Sequence, residues 1–395
     1  MKDLTKGYPA KVIILFAIPM IFGSIFQQLY NIADSKIVST FVGTEAFAAV
    51  GATSVVSNTL IGFLNSLTLG FAIPIANSFG GKDYKRMRRM VAGTVLLTLA
   101  GAVVLTVLIL LLIPAILKLL ATPEDIMSPA LAYVRIILYG IIFVSVYNMC
   151  ANVLRAVGDS RTPLYCLIIS VFVNGFHMGI QGAAWATIIS QALSAVLCLG
   201  YILLKFRDII PEKDEWKPVE GQYSELLTTG LAMGFMSLVV NFGTIVLQGA
   251  INGLGTAIVA AHTAARKVFD IFTVSLYCLG NAMTTFVSQN MGAGEPARIR
   301  RGIRHAVVIA TGITTVLVII CFAFGRPVFT WLASTDNPTI VDSAVMYSRI
   351  SIVFFYVLGP LFILRCSLQG MGRKVIPVCS SVVEMTIKVL SATIL

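Results

Sequence analysis

Long uncharged stretches separated by short polar segments dominate the chain. Apolar windows long enough to cross a membrane fall near residues 12–33, 46–79, 90–117, 130–154, 162–174, 182–204, 226–250, 256–288, 305–325, 343–365 and 375–395. Polar and apolar positions do not alternate, and backbone groups in hydrocarbon must be satisfied within their own segment, so the windows predict helices rather than barrel strands. The pattern is that of an all-α polytopic membrane protein with eleven spans. Span five is short: only about 12 apolar residues run from Pro163 to Asn174, too few for a hydrocarbon core about 30 Å thick.

Composition sharpens this picture. The 395 residues are 57% hydrophobic and 12% charged, where a soluble domain carries about a quarter charged. The formal charge of +11 sits in short basic runs between spans, not on a solvated face with aromatic company, which excludes nucleic acid as a partner. Counting Lys and Arg in alternating loops gives twenty on the side of the N-terminus and three on the other. That asymmetry puts the N-terminus and the linker 205–225 in the cytoplasm of a multi-pass protein of the cell (inner) membrane. Eleven spans then leave the C-terminus outside. The basic runs themselves read as topology signals and lipid headgroup contacts. The linker mixes both signs with two prolines and reads as a solvated connection.

Seven scattered Cys and three His give no metal-ligand spacing and read as buried packing residues or isolated polar groups. His177, His262 and His305 lie in different segments without acidic neighbours, there is no phosphate-cradling GxxxxGK, and an intramembrane enzyme is disfavoured. No cofactor is expected.

An internal repeat is the strongest signal. GTEAFAAVGAT (43–53) aligns with GTAIVAAHTAA (255–265), NSFGGKDYKRMRRM (77–90) with QNMGAGEPARIRRG (289–302), YVRI (133–136) with YSRI (347–350), and LRAVGDSRTP (154–163) with LQGMGRKVIP (368–377), always at an offset of 212 to 214. Matching loops lie on one side, so the two halves are parallel repeats, an arrangement that suits a transporter working by alternating access. The expected organisation is a six-helix lobe over 1–204, the linker, and a second lobe over 226–395 that stops one helix short of the first.

Scaffold features recur in both halves, and differences mark candidates for function. Arg135 and Arg349 recur beside a Tyr, and Gly158 and Gly372 recur as turn punctuation before Pro163 and Pro377. Asp34 has no acidic counterpart: the repeat sets Val246 to Gln248 opposite it. Two readings stand for it. Either it is an intramembrane carboxyl that takes up H+ or Na+ at one face and releases it at the other, or its helix ends at Tyr30 and it sits in the outer headgroup layer. Asp270 follows Arg266 by four residues, the spacing of an ion pair on one helix face, and a role of the two in substrate binding or gating is the other reading; Lys388 follows Glu384 likewise. Gln27, Tyr30, Asn31, Asn148, Asn241 and Gln248 supply polar atoms within spans as cavity or gating candidates.

IPMIFGSIFQQLYNIADSKIVSTFVGTEAFAAVGAT, the LRAVGDSRTP turn, FHMGIQGAAWATIISQ and SQNMGAGEPARIRRG resemble the multidrug and toxic compound extrusion (MATE) transporters, bacterial branch, over essentially the whole chain. The resemblance implies a twelve-helix, two-lobed antiporter, a monomer that exports cationic or amphipathic compounds in exchange for H+ or Na+. It places Asp34 on the family's coupling acid and Asn174 on an Asn of the same site. In relatives a second carboxylate follows one turn after that Asn; here Gly175 and Phe176 follow it. The expected partners are organic cations and membrane lipids. A flippase for lipid-linked saccharides, of related fold, is the alternative; it would need a basic cavity, for which Arg266, Lys267, Arg365 and Lys388 are the candidates.

Overall fold

The computed structural model describes residues 3–41, 44–119, 124–172, 179–333 and 337–394, with side chains from 29 to 52 and around the other breaks outside that description. Twelve α-helices follow in order: α1 Pro9–Phe41, α2 Thr44–Gly80, α3 Tyr84–Leu119, α4 Glu124–Ala156, α5 Thr162–Phe172, α6 Gly179–Lys205, α7 Gln222–Asn252, α8 Thr256–Gly292, α9 Pro296–Ala333, α10 Pro338–Val353, α11 Phe355–Gly370 and α12 Val375–Ile394. Among the described residues nine helices are long and apolar enough to cross a membrane, or ten if α10 and α11 form one span. The short span five is α5, whose 11 residues rise only about 16 Å.

The tenth apolar window, expected as one helix, is two. α10 and α11 meet at a 48° bend. Pro360 inside α11 has no N–H to give to Tyr356 O, which weakens the helix just after the break rather than at it. Around the break Phe354 N donates to Ser351 O and Val357 N to Phe354 O, the tighter three-residue closure that marks a locally overwound helix. The repeat partner α4 runs unbroken, with Val146 at the position of Pro360.

The chain divides into two compact units, 22–238 with the first three residues, and 4–21 with 239–395. Each unit has its own apolar core, the first built around Leu64, Phe71, Ile75, Leu138 and Leu154, the second around Ile13, Met283, Phe286 and Phe329. In the first, α2 packs on α3 and α4, and α4 on α6; in the second, α8 packs on α9, α10 and α11. The repeat is therefore visible in helix pairing as well as in residues.

Its clearest expression is in the turns. After α4, Gly158 at φ 87° lets Asp159 N reach Leu154 O, and after α11, Gly372 at φ 75° lets Arg373 N reach Leu368 O. Both closures satisfy carbonyls that a helix end would leave bare. After α2 and α8 the same device recurs, with Asp83 N donating to Ser78 O and Glu295 N to Asn290 O. There the left-handed residue is Gly294 in one copy but Lys82, at φ 58°, in the other.

Where helices cross, small or polar residues set the approach. Asn152 Nδ2 on α4 donates to Thr68 Oγ1 on α2 at 3.0 Å. At the matching crossing of the second unit Gly280 on α8 meets Cys366 on α11, with 3.0 Å from a Cβ built on the glycine to Sγ. One turn on, Thr284 and Ser288 donate to the carbonyls of Cys366 and Gly370. Such contacts hold membrane helices together without a hydrophobic drive. Six of the seven cysteines are buried as expected; Cys379 on α12 is the exception and is exposed.

The linker departs from its expectation. It is not a free connection: two short 3-10 turns, Arg207–Ile209 and Lys213–Trp216, dock on α3. Arg88 Nε and Nη2 donate to the two oxygens of Glu215 at 2.7 and 2.8 Å, and Glu215 is 4% exposed. Arg86 holds Glu225 with bonds of 2.9 and 3.0 Å, and Gln222 Nε2 donates to Arg89 O at 2.7 Å. Part of the basic run is thus neutralised by carboxylates more than a hundred residues away, a pairing that local charge patterning cannot show. The bond from Arg88, foremost, and that from the backbone N–H of Glu212 hold the Glu215 carboxyl below the ordinary carboxylate range, against the opposing effect of burial.

Lys82→Gly should stabilise the folded chain by about 1 kcal/mol, because only glycine adopts the left-handed conformation without strain; thermal unfolding in detergent micelles would show it, and Gly294→Lys should have the opposite sign. Arg88→Gln should loosen the linker by about 2 kcal/mol, read as a shift of Trp216 emission in a variant keeping only that tryptophan. Because Glu215 titrates lower in the folded chain than in the unfolded one, the dock's contribution is fully present at neutral pH. It fades as pH falls from about 4.3 through the lowered value.

Candidate functional site

α1 continues as helix to Phe41, so its backbone does not end at Tyr30. The side chains of Tyr30, Asn31 and Asp34 lie outside the described residues, and Asn174 lies outside them altogether. Of the remaining candidates, Gln27 on α1 is exposed, and Asn148 on α4 is half-buried one turn before the buried Asn152. These belong to the first unit. Asn241 and Gln248 on α7, both half-buried, belong to the second, with Arg266 and Asp270 on α8.

Among the described candidates one pair is brought together. Arg266 Nε donates to Asp270 Oδ1 at 2.9 Å, with the two side chains 45% and 48% exposed. Arg266 lies ten residues into α8, which begins at Thr256, or about 15 Å along its axis. A half-exposed ion pair at that depth faces either lipid or water. Lipid would charge several kcal/mol for the exposed charges, so the geometry favours a wet space on this face of α8. His262, one turn earlier, is buried edge-on against Tyr347, with ring centroids 5.4 Å apart.

Sequence reasoning underrated two groups. Arg155 Nη1 donates to Asn152 Oδ1 at 3.0 Å, extending the α2–α4 crossing into a three-residue network of Thr68, Asn152 and Arg155. Arg365 on α11 bridges to Glu384 on α12 at 3.0 Å, turning the expected intrahelical pair of Glu384 and Lys388 into a trio. The spacing of 19 residues between Arg365 and Glu384 carries no helical signature, because a turn separates them. Among the described residues no group of three His, Cys, Asp or Glu is placed to hold a metal ion.

A 500 Å³ cleft lies where α3 meets the linker, lined by Asp83, Arg86, Arg89, Glu220 and Glu225 among others. Its charges are those of the dock already described.

The MatE family model matches residues 19–180 and 232–394. The probable multidrug resistance protein YpnP of Bacillus subtilis is 26% identical over 383 residues, which cover 94% of this chain and 84% of that protein. The probable multidrug resistance protein NorM of Thermotoga maritima is 24% identical over 381 residues, covering 93% of this chain and 81% of that protein. A solved structure of the outward-facing conformation of a multidrug resistance MATE family transporter of the MOP superfamily matches the fold with a TM-score of 0.90 at 22% identity, over 99% of this chain and 89% of that one.

Asp270→Cys, in a Cys379→Ser background, should react with a membrane-impermeant methanethiosulfonate; absence of labelling would place the pair against lipid.

Proposed function

This chain belongs to the MatE family, and from that membership we propose that it is an ion-coupled antiporter, exporting cationic or amphipathic toxic compounds across the cell membrane by alternating access. The observation that carries the reading is the family match to both halves of the chain in order, 19–180 and 232–394. The names of YpnP and NorM as probable multidrug resistance proteins support the cargo class.

In this reading Asp34 on α1 is the coupling group. Its carboxyl binds H+ or Na+ from outside, and the ion displaces the lipophilic cation that entered from the cytoplasm. Asn174, by its place in the resemblance, contributes a neutral oxygen to the same site. Gln27, Tyr30, Asn31 and Asn148 in the first unit, and Asn241, Gln248, Arg266 and Asp270 in the second, are the cavity or gating candidates of this reading. For an uncharged amphiphile, a singly charged coupling ion moving down a potential of 100 mV supplies about 2.3 kcal/mol, enough for a gradient of roughly fiftyfold; a singly charged cargo exchanged one for one moves no net charge and is driven by the ion's concentration gradient alone. The basic loops then lie in the cytoplasm, following the charge asymmetry of the sequence.

The test is Asp34→Asn. Energised vesicles containing that variant should lose coupled efflux of ethidium, falling to the level of vesicles without the protein, while membrane insertion is unchanged. Efflux at the wild-type rate would remove Asp34 from the mechanism.

A further inference from the structure

Three charged side chains of the second unit converge inside its spans. Arg365 Nη2 on α11 donates to Glu384 Oε2 at 3.0 Å and to Ser380 Oγ at 2.9 Å, and Lys388 Nζ donates to Glu384 Oε1 at 2.8 Å. The Arg365 side chain is 7% exposed, and among the described residues its Nε has no hydrogen-bond partner. α7 approaches from the other side at Gly243, where an added Cβ would come 3.3 Å from Lys388 Cδ. The lack of a side chain at 243 leaves room for the lysine stem to lie along α7.

Depth and charge make this trio unusual. Glu384 lies nine residues into the 20-residue α12, about 14 Å along the axis and so near the middle of a core about 30 Å thick. Two cations and one carboxylate leave one net positive charge there, together with a guanidinium N–H that no described residue satisfies. Both are strongly unfavourable away from water. One anionic group would relieve both, and the flat guanidinium beside a flexible ammonium is the donor set that suits an oxyanion.

The repeat sharpens the contrast. At the offset of 214 that relates the last sequence block to its partner, Lys388 falls on Asn174, Glu384 on Ser170 and Arg365 on Ala151. Positions that are neutral in the first half, in the neighbourhood assigned above to the coupling cation, are charged in the second with a positive balance.

We propose that Arg365 and Lys388 form an oxyanion-accepting subsite in the second unit, with Glu384 as the brace that holds them together, and that it takes the carboxylate or phosphate group of a transported amphiphile. A phospholipid phosphate has the same chemistry, but its place is at the bilayer surface, and the trio lies near the midplane. The range of solutes handled then extends from cations to molecules with an acidic group.

The experiment uses the full chain in phosphatidylcholine nanodiscs, with 5-carboxyfluorescein as the anionic probe and ethidium as the cationic control, both followed by fluorescence anisotropy. Lys388→Gln should weaken carboxyfluorescein binding by about tenfold or more and leave ethidium unaffected. Glu384→Gln should act in the opposite direction, tightening carboxyfluorescein by about tenfold, because the net charge rises; a purely structural ion pair predicts loss or no change. If Glu384→Gln does not fold, Lys388→Arg decides the matter, since it must keep the affinity that Lys388→Gln loses. No binding by the wild type, or equal binding by wild type and Lys388→Gln, overturns the subsite. Phosphatidylglycerol retained by the wild type and lost from Lys388→Gln in native mass spectrometry would make it a lipid site and overturn the solute assignment. Equilibrium binding needs no coupled export, so this proposal and the role of Asp34 fail separately.

Discussion

The structure rests on the need to close every backbone hydrogen bond inside hydrocarbon. A chain that is 57% hydrophobic gains little from packing one apolar helix on another when lipid is equally apolar. Its helices are therefore dictated first by N–H and C=O groups with no water to turn to. The paired closures after α2, α4, α8 and α11 finish that task at the ends of the helices, and the crossing contacts of Asn152 with Thr68 and of Ser288 with Gly370 add polar adhesion between them. At the bend between α10 and α11 the chain settles for the tighter three-residue closure.

Much of this was legible before any coordinates. Apolar windows located the spans because hydropathy over about 20 residues is a strong one-dimensional signal. Gly158 and Gly372 announced their turns because left-handed backbone has few residue solutions, and Arg266 with Asp270 paired as their spacing required. The bend at Phe354 leaves no mark in hydropathy, because apolar residues run through it unbroken. The docked linker was missed because Arg88 and Glu215 are 127 residues apart, and charge patterning reads neighbours in sequence only. Arg365 was seen as a basic residue but not as a partner of Glu384, for the same reason. Of the expected coupling site, sequence gives the identities of Asp34 and Asn174, and the described backbone adds that α1 stays helical past the first of them.

The two halves thus share a frame and differ in charge. The first holds a lone acid, Asp34, within an apolar helix; the second holds Arg365, Glu384 and Lys388 with one positive charge in excess. Similarity of turns and helix pairing leaves such differences unconstrained, because a side chain within a unit can change sign without altering where the backbone closes.

The two versions of the α2–α4 crossing make the same point about ancestry. Thr68 with Asn152 in one copy and Gly280 with Cys366 in the other occupy matching positions by unlike chemistry, one through an amide and a hydroxyl, the other through a glycine against a thiol. A joint that tolerates either solution lets duplicated bundles drift apart in composition while their geometry stands still. One ancestral half can thereby found two specialised descendants within a single polypeptide.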